Sequence, residues 1–156
     1  TEGFTCSRQS NSTALRFKMS VKIFKSGGRL EGVGSYSRAK RIGPFVYIAG
    51  TTAIEPSGKL HAPNDTYAQT MYIFQRIEEA LKAVGADMKH VVRTTAYMTD
   101  MALGGAEFVK AHGEIFKDID PVTAGVEAGL TTPGMMVEIS VDAVVHDSDG
   151  NIEMNK

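Results

Sequence analysis

The chain has 156 residues, with 42% apolar and 22% charged positions, which fits one soluble globular domain with a real hydrophobic core. Seventeen Lys and Arg face eighteen Asp and Glu, too even a balance for a domain-wide nucleic-acid or membrane-surface binder. The single cysteine, Cys6, excludes an internal disulfide framework and any multi-cysteine zinc site, and no apolar run approaches bilayer length.

The charge is unevenly spread. Residues 1–30 hold Arg8, Arg16, Lys18, Lys22, Lys25 and Arg29 against one acid, Glu2, whereas the remainder carries a balance of −6. A basic, Ser-rich, acid-poor start has the composition of an organelle transit segment; a non-native extension before Met19 is the other reading. Residues 1–18 are expected to lie outside the fold, residues 19–148 to form the domain and residues 149–156 a polar tail. The expected compartment is the cytoplasm, or the mitochondrial matrix if residues 1–18 are a transit remnant.

From Val21 the pattern becomes globular. Val21 to Lys25 reads as a first strand broken by Gly27-Gly28. Phe45 to Ala49, between Gly43-Pro44 and Gly50, reads as a second. A helix is predicted from about Tyr67 to Val84. Met71, Phe74, Ile77, Leu81 and Val84 share its face, Ile73 and Ala80 widen it, Asn64 or Asp65 caps it and Gly85 ends it. Val91 to Thr99 reads as a strand. Gly104-Gly105 then precedes a shorter helix, Ala106 to Phe116, with Phe108, Val109, His112, Ile115 and Phe116 on one face. Val122 to Val126 reads as a strand after Pro121. In the last strand Val137, Ile139, Val141, Ala143 and Val145 point one way, and Met136, Glu138, Ser140, Asp142 and Val144 the other. The order predicts one mixed sheet with two long helices on one face. Its other face needs cover, and self-association is the simplest cover.

Several chemistries fail on their motifs. Gly32-Val33-Gly34 lacks the third glycine of a dinucleotide fingerprint, and no Walker A lysine, H-E-x-x-H or G-x-S-x-G occurs. His112, on an apolar helix face, is expected to be packed or interfacial rather than to ligate a metal.

The stretch from Gly32 to Val145 resembles the RidA/YjgF family of enamine/imine deaminases, some of which carry an older endoribonuclease L-PSP label. The carrying segments stand in family order: Gly34-Ser35-Tyr36-Ser37-Arg38-Ala39, Phe45 to Thr51, Gln69 to Gly85, Val91 to Asp100, and Pro121 leading to Val137-Glu138-Ile139. The resemblance implies an α+β, chorismate-mutase-like fold. Homotrimers would enclose a central barrel, with ligand pockets between subunits.

The implied chemistry is hydrolysis of reactive enamines or imines to 2-oxo acids and ammonia, without a cofactor or metal. Such a site needs a cation for a substrate carboxylate and a group that activates water. The resemblance places Thr123 where the family has its carboxylate-binding Arg, Val109 or Lys110 where it has a pocket Asn, and Gly125 near the Arg position. Tyr36 and the pocket acid Glu138 are kept. Candidate catalytic residues are therefore Glu138 and Thr123. Candidate substrate-binding residues are Tyr36, Arg38, Thr51, Lys110 and Glu127. Arg38 is the first substitute cation and Lys110 the second, with Glu138 orienting water or pairing with Arg38. Alternatives are a binder of a small carboxylate without turnover, and an endoribonuclease, which the acidic balance after residue 30 disfavours.

Overall fold

The computed structural model describes residues 20–152; the leader expected over residues 1–18 lies outside them. The chain runs β1 (Val21–Phe24), α1 (Arg29–Val33), β2 (Ala39–Ile42), β3 (Phe45–Thr52), α2 (Thr66–Ala83), a 3-10 turn (Met88–His90), β4 (Val91–Met98), α3 (Met101–Ile115), β5 (Val122–Glu127) and β6 (Val137–Val144). The strands form one mixed sheet in the order β1-β2-β3-β6-β4-β5. All pairings are antiparallel except β4 with β5. The two last strands are thus not neighbours: β6 inserts between β3 and β4, and β5 is an edge. No helix among the described residues is long and apolar enough to cross a membrane.

The α2 periodicity builds the core. Ile73, Phe74, Ile77, Ala80, Leu81 and Val84 are buried against Val46, Ile48, Val137, Ile139 and Val141 of the sheet. Each large side chain of this set contributes about 1.5–3 kcal/mol by leaving water. Asp65 caps the helix by accepting from the Ala68 amide, and Gly85, at φ +75°, turns the chain out of it. Met71 departs from the expected stripe and is exposed, because the buried face is centred on Ile73 and Ile77.

The second helix starts five residues earlier than expected. Asp100 accepts from the Leu103 amide and Glu127 from the Met101 amide, so the first turn is capped before the glycine pair. Gly104 lies inside the helix where α3 crosses the start of α2. A Cβ there would sit 2.7 Å from Thr66 Oγ1. Val109 points to solvent, and the packed face is Phe108, Ala111 and Phe116. On β6 the alternation holds: Val137, Ile139, Val141 and Ala143 are buried under the helices, while Glu138, Ser140, Asp142 and Val144 are half-exposed on the open face.

Candidate functional site

The open face carries Glu138, opposite Thr52 of β3 and Tyr97 of β4. The β3–β6 ladder shifts register between Ile48 and Thr51, and Gly50 lies within that irregularity. The Glu138 carboxylate rests over Gly50, in the space a side chain there would fill. Glu138 is half-buried, and among the described residues its carboxylate has no hydrogen bond or ion pair.

Behind Gly50 lies a polar network that fixes its backbone. Arg38 Nη1 donates to the Gly50 carbonyl at 2.6 Å and to Thr51 Oγ1 at 3.4 Å. The Thr51 hydroxyl donates to the Ala49 carbonyl at 2.9 Å. Arg38 Nε lies 3.6 Å from Glu31 Oε1. Glu31 is buried at 2% exposure and accepts from the Ser26 hydroxyl at 2.6 Å and from the Ser26 and Gly27 amides. Burial pulls the Glu31 carboxyl upward, but these donors and the Arg38 guanidinium outweigh it and hold it below the ordinary carboxylate value. The expected Arg38–Glu138 pair is therefore corrected: the acid partner of Arg38 is Glu31. Tyr36 is exposed, with its ring against Gly34.

The other candidates lie elsewhere. The parallel register sets Thr123 beside Thr94, Gly125 beside Ala96 and Glu127 beside Met98. Thr94, Ala96 and Met98 face the helices, so Thr123, Gly125 and Glu127 line the helix side of the β5 edge. Thr94 Oγ1 is hydrogen-bonded to Thr123 Oγ1 at 2.7 Å and lies 3.0 Å from His112 Nε2. Glu127 is held at the α3 N-terminus by the Met101 amide. Lys110, on the outer surface of α3, sits 4.7 Å over the Tyr67 ring. The sheet separates it from Glu138, so the two do not face one pocket within a single chain.

One chain thus seats Glu138 over Gly50 on the open face, while Thr51, paired with the inward Ile139, turns to the helix side, as do Thr123, Gly125 and Glu127 at the distant β5 edge. Sequence reasoning missed Glu31, Thr94 and the Gly50 cradle. Thr94 carried a signal, a hydroxyl at an inward position of a strand. His112 is packed, as expected, with Phe74, Phe108 and Phe116 around it. Burial lowers the pKa of its imidazole. No group of three His, Cys, Asp or Glu among the described residues is placed to hold a metal ion.

The comparisons agree with this architecture. A family model described as Endoribonuclease L-PSP matches residues 27–145. A Mycobacterium tuberculosis member of the YjgF/YER057c/UK114 family is 42% identical and superposes with a TM-score of 0.72, covering 81% of this chain and 100% of that one. Mouse 2-iminobutanoate/2-iminopropanoate deaminase is 30% identical over 125 residues, 79% of this chain and 90% of that protein. A RutC family protein of Sulfurisphaera tokodaii is 29% identical over 109 residues, 70% of this chain and 86% of its own length. With its sheet order, its two helices on one face and Glu138 seated at the glycine of β3, the chain belongs to the RidA/YjgF family.

Proposed function

We propose that the protein hydrolyses a small reactive imine or enamine in a pocket formed between two copies of the chain. The observation that carries this is the Glu138 carboxylate, without a partner among the described residues, seated over Gly50 and backed by the Arg38 anchor. A carboxylate at a water-accessible cleft can accept a proton from water as it attacks the C=N carbon, then return that proton to the departing nitrogen. The imine and one water become a carbonyl and ammonia, with no redox change. The mouse relative's name supports this class of substrate.

Glu138 on the open face and the Thr123 side of β5 form one site only if a second copy brings its β5 edge to the Glu138 face. The open face suits such contact. Phe45, Tyr47, Val122 and Val144, with Arg93 and Asp142, line a groove of about 330 Å³ there. A homotrimer, as the resemblance implies, satisfies this arrangement. A mass corresponding to three chains by light scattering at micromolar concentration is expected; a monomer overturns the shared pocket.

The direct test generates 2-imino acids in situ with an amino-acid oxidase and follows the semicarbazide-trappable pool. Wild type is expected to drain it faster than buffer, and Glu138→Gln is not. Absence of turnover with 2-imino acids, but gain in Thr123→Arg, would favour the second reading, a family scaffold that binds a small molecule without deaminating it. Thr123 favours that reading, since it brings no charge to a position where the family pairs a carboxylate with Arg.

A further inference from the structure

The Thr123 hydroxyl is the outer end of a hydrogen-bond chain that starts inside the helix layer. His112 is packed among Phe74, Phe108 and Phe116, with ring centroids 6.0, 5.6 and 4.7 Å away. Its Nε2 lies 3.0 Å from Thr94 Oγ1, and the hydroxyl of Thr94, fully buried, is hydrogen-bonded to Thr123 Oγ1 at 2.7 Å. A hydroxyl has one hydrogen. The same distances fit two proton orders: Thr123 to Thr94 to an unprotonated His112 Nε2, or His112 Nε2–H to Thr94 to Thr123. In the second order, the one adopted here, the Thr123 oxygen is already an acceptor. Its own hydrogen remains to donate outward from an exposed strand.

Arg93, Lys110 and Arg38 are each engaged away from this donor. Arg93 pairs with Asp142 at 3.8 Å on the opposite face of the sheet. Lys110 lies over Tyr67, and Arg38 is engaged by Glu31 and the Gly50 carbonyl. Along the same side of β5, Thr123 is followed by Gly125, which offers no side chain, and Glu127, an acid. An ionised carboxylate laid here would meet one hydroxyl and one like charge. An uncharged carbonyl would take the Thr123 hydrogen bond without needing a countercharge.

We propose that the Thr123 end of the pocket takes an uncharged oxygen acceptor, such as an amide or ester carbonyl, so that the substrate lacks the ionised carboxylate of a 2-imino acid there. Thr94 and His112 are positioning residues that aim the Thr123 hydrogen. The inference rests on the reading of the β5 edge as one wall of the pocket.

The test measures binding to the full chain by saturation-transfer NMR, with two probes of equal size, 2-oxobutanoate and 2-oxobutanamide. Wild type is expected to bind the amide roughly tenfold more tightly, one neutral hydrogen bond against an unpaired charge. Thr123→Val should erase that preference, Thr123→Ser should keep it and Thr123→Arg should invert it, each variant being checked for folding by circular dichroism. The ¹⁵N shift of His112 Nε2 should be that of a protonated ring nitrogen and should move in Thr94→Val. Tighter or equal binding of the acid by wild type overturns the proposal, as does a preference that survives Thr123→Val, or binding of neither probe. Imine turnover is scored separately. Amide preference without turnover of any imine leaves the inference standing and removes the hydrolase reading, whereas turnover of 2-iminobutanoate with acid preference does the reverse.

Discussion

Glu138 occupies the space that a side chain on Gly50 would take: a Cβ built on Gly50 falls within the van der Waals envelope of the Glu138 carboxylate. The two residues stand on neighbouring strands, so the β3 irregularity and the β6 acid form one device. The backbone of Gly50 lies outside the left-handed region, so alanine is conformationally acceptable there. Its cost falls on the flexible end of Glu138. Gly50→Ala is therefore expected to change stability by under about 1 kcal/mol, while imine turnover drops as far as in Glu138→Gln. A thermal melt beside the semicarbazide assay separates the two effects.

The α2–α3 crossing depends on Gly104 in a different way. An added Cβ would meet Thr66 Oγ1 at 2.7 Å and Cγ2 at 3.2 Å, atoms on a short, buried side chain with little room to yield. Gly104→Ala should cost about 1–3 kcal/mol, despite the gain in helix propensity. Thr66→Ala should relieve most of the clash, so the double variant should be more stable than additivity predicts. Urea unfolding of the four proteins measures that coupling.

Stability should fall on mild acidification. Burial lowers the pKa of both His90 and His112 from the ordinary value of 6.5. In the unfolded chain both return to that value, so below it the unfolded state takes up protons that the folded state refuses. The stabilisation is whole above pH 6.5 and is lost as pH falls from 6.5 toward the folded values, with no further loss beneath them. Urea midpoints between pH 8 and pH 5 should show this slope. His112→Gln, which keeps a donor for Thr94, should flatten it.

Glu31 controls a lower window. Its carboxyl is held below 4.5 in the folded chain, so its contribution is present above that value and is lost as pH falls through the folded pKa. Glu31→Gln keeps the shape but removes the charge from Arg38 and from the Ser26 and Gly27 donors. A loss of about 2 kcal/mol is expected at pH 7, because Arg38 keeps some solvent and its bond to the Gly50 carbonyl. The diagnostic is that the acid limb of the stability curve, below pH 4.5, becomes shallower.

Much of the fold was legible where one period dominated a long segment. The alternation from Val137 to Val144 gave both faces of β6, and the 3.6-residue stripe from Ile73 to Val84 gave the buried side of α2. Ala39–Ile42 escaped notice because a four-residue strand with two basic residues shows no apolar period; its pairing with β1 and β3 makes it a strand. The glycine pair at 104–105 read as a break because local propensity carries no information about Thr66 across the helix crossing. The site was legible in its residue types more than in its partnerships. Glu138 and Thr51 were named, but the choice of Glu31 by Arg38 depends on a five-residue helix, α1. The Thr94–Thr123 bond depends on the parallel register of β4 with β5, which no single-strand pattern encodes.

The insertion of β6 between β3 and β4 bears on how the protein is made. The two earlier sheet fragments, β1–β3 and β4–β5, share no ladder of their own, and the segment that joins them is the last strand among the described residues. During synthesis the ribosome must release almost the whole domain before residues 137–144 can zip the halves together. Until then the inner edges of β3 and β4 stand open to pairing with other nascent chains. A chain stopped ahead of Val137 would leave α2 without Val137, Ile139 and Val141 beneath it, and so should be a substrate for chaperones and proteases rather than a smaller stable fold.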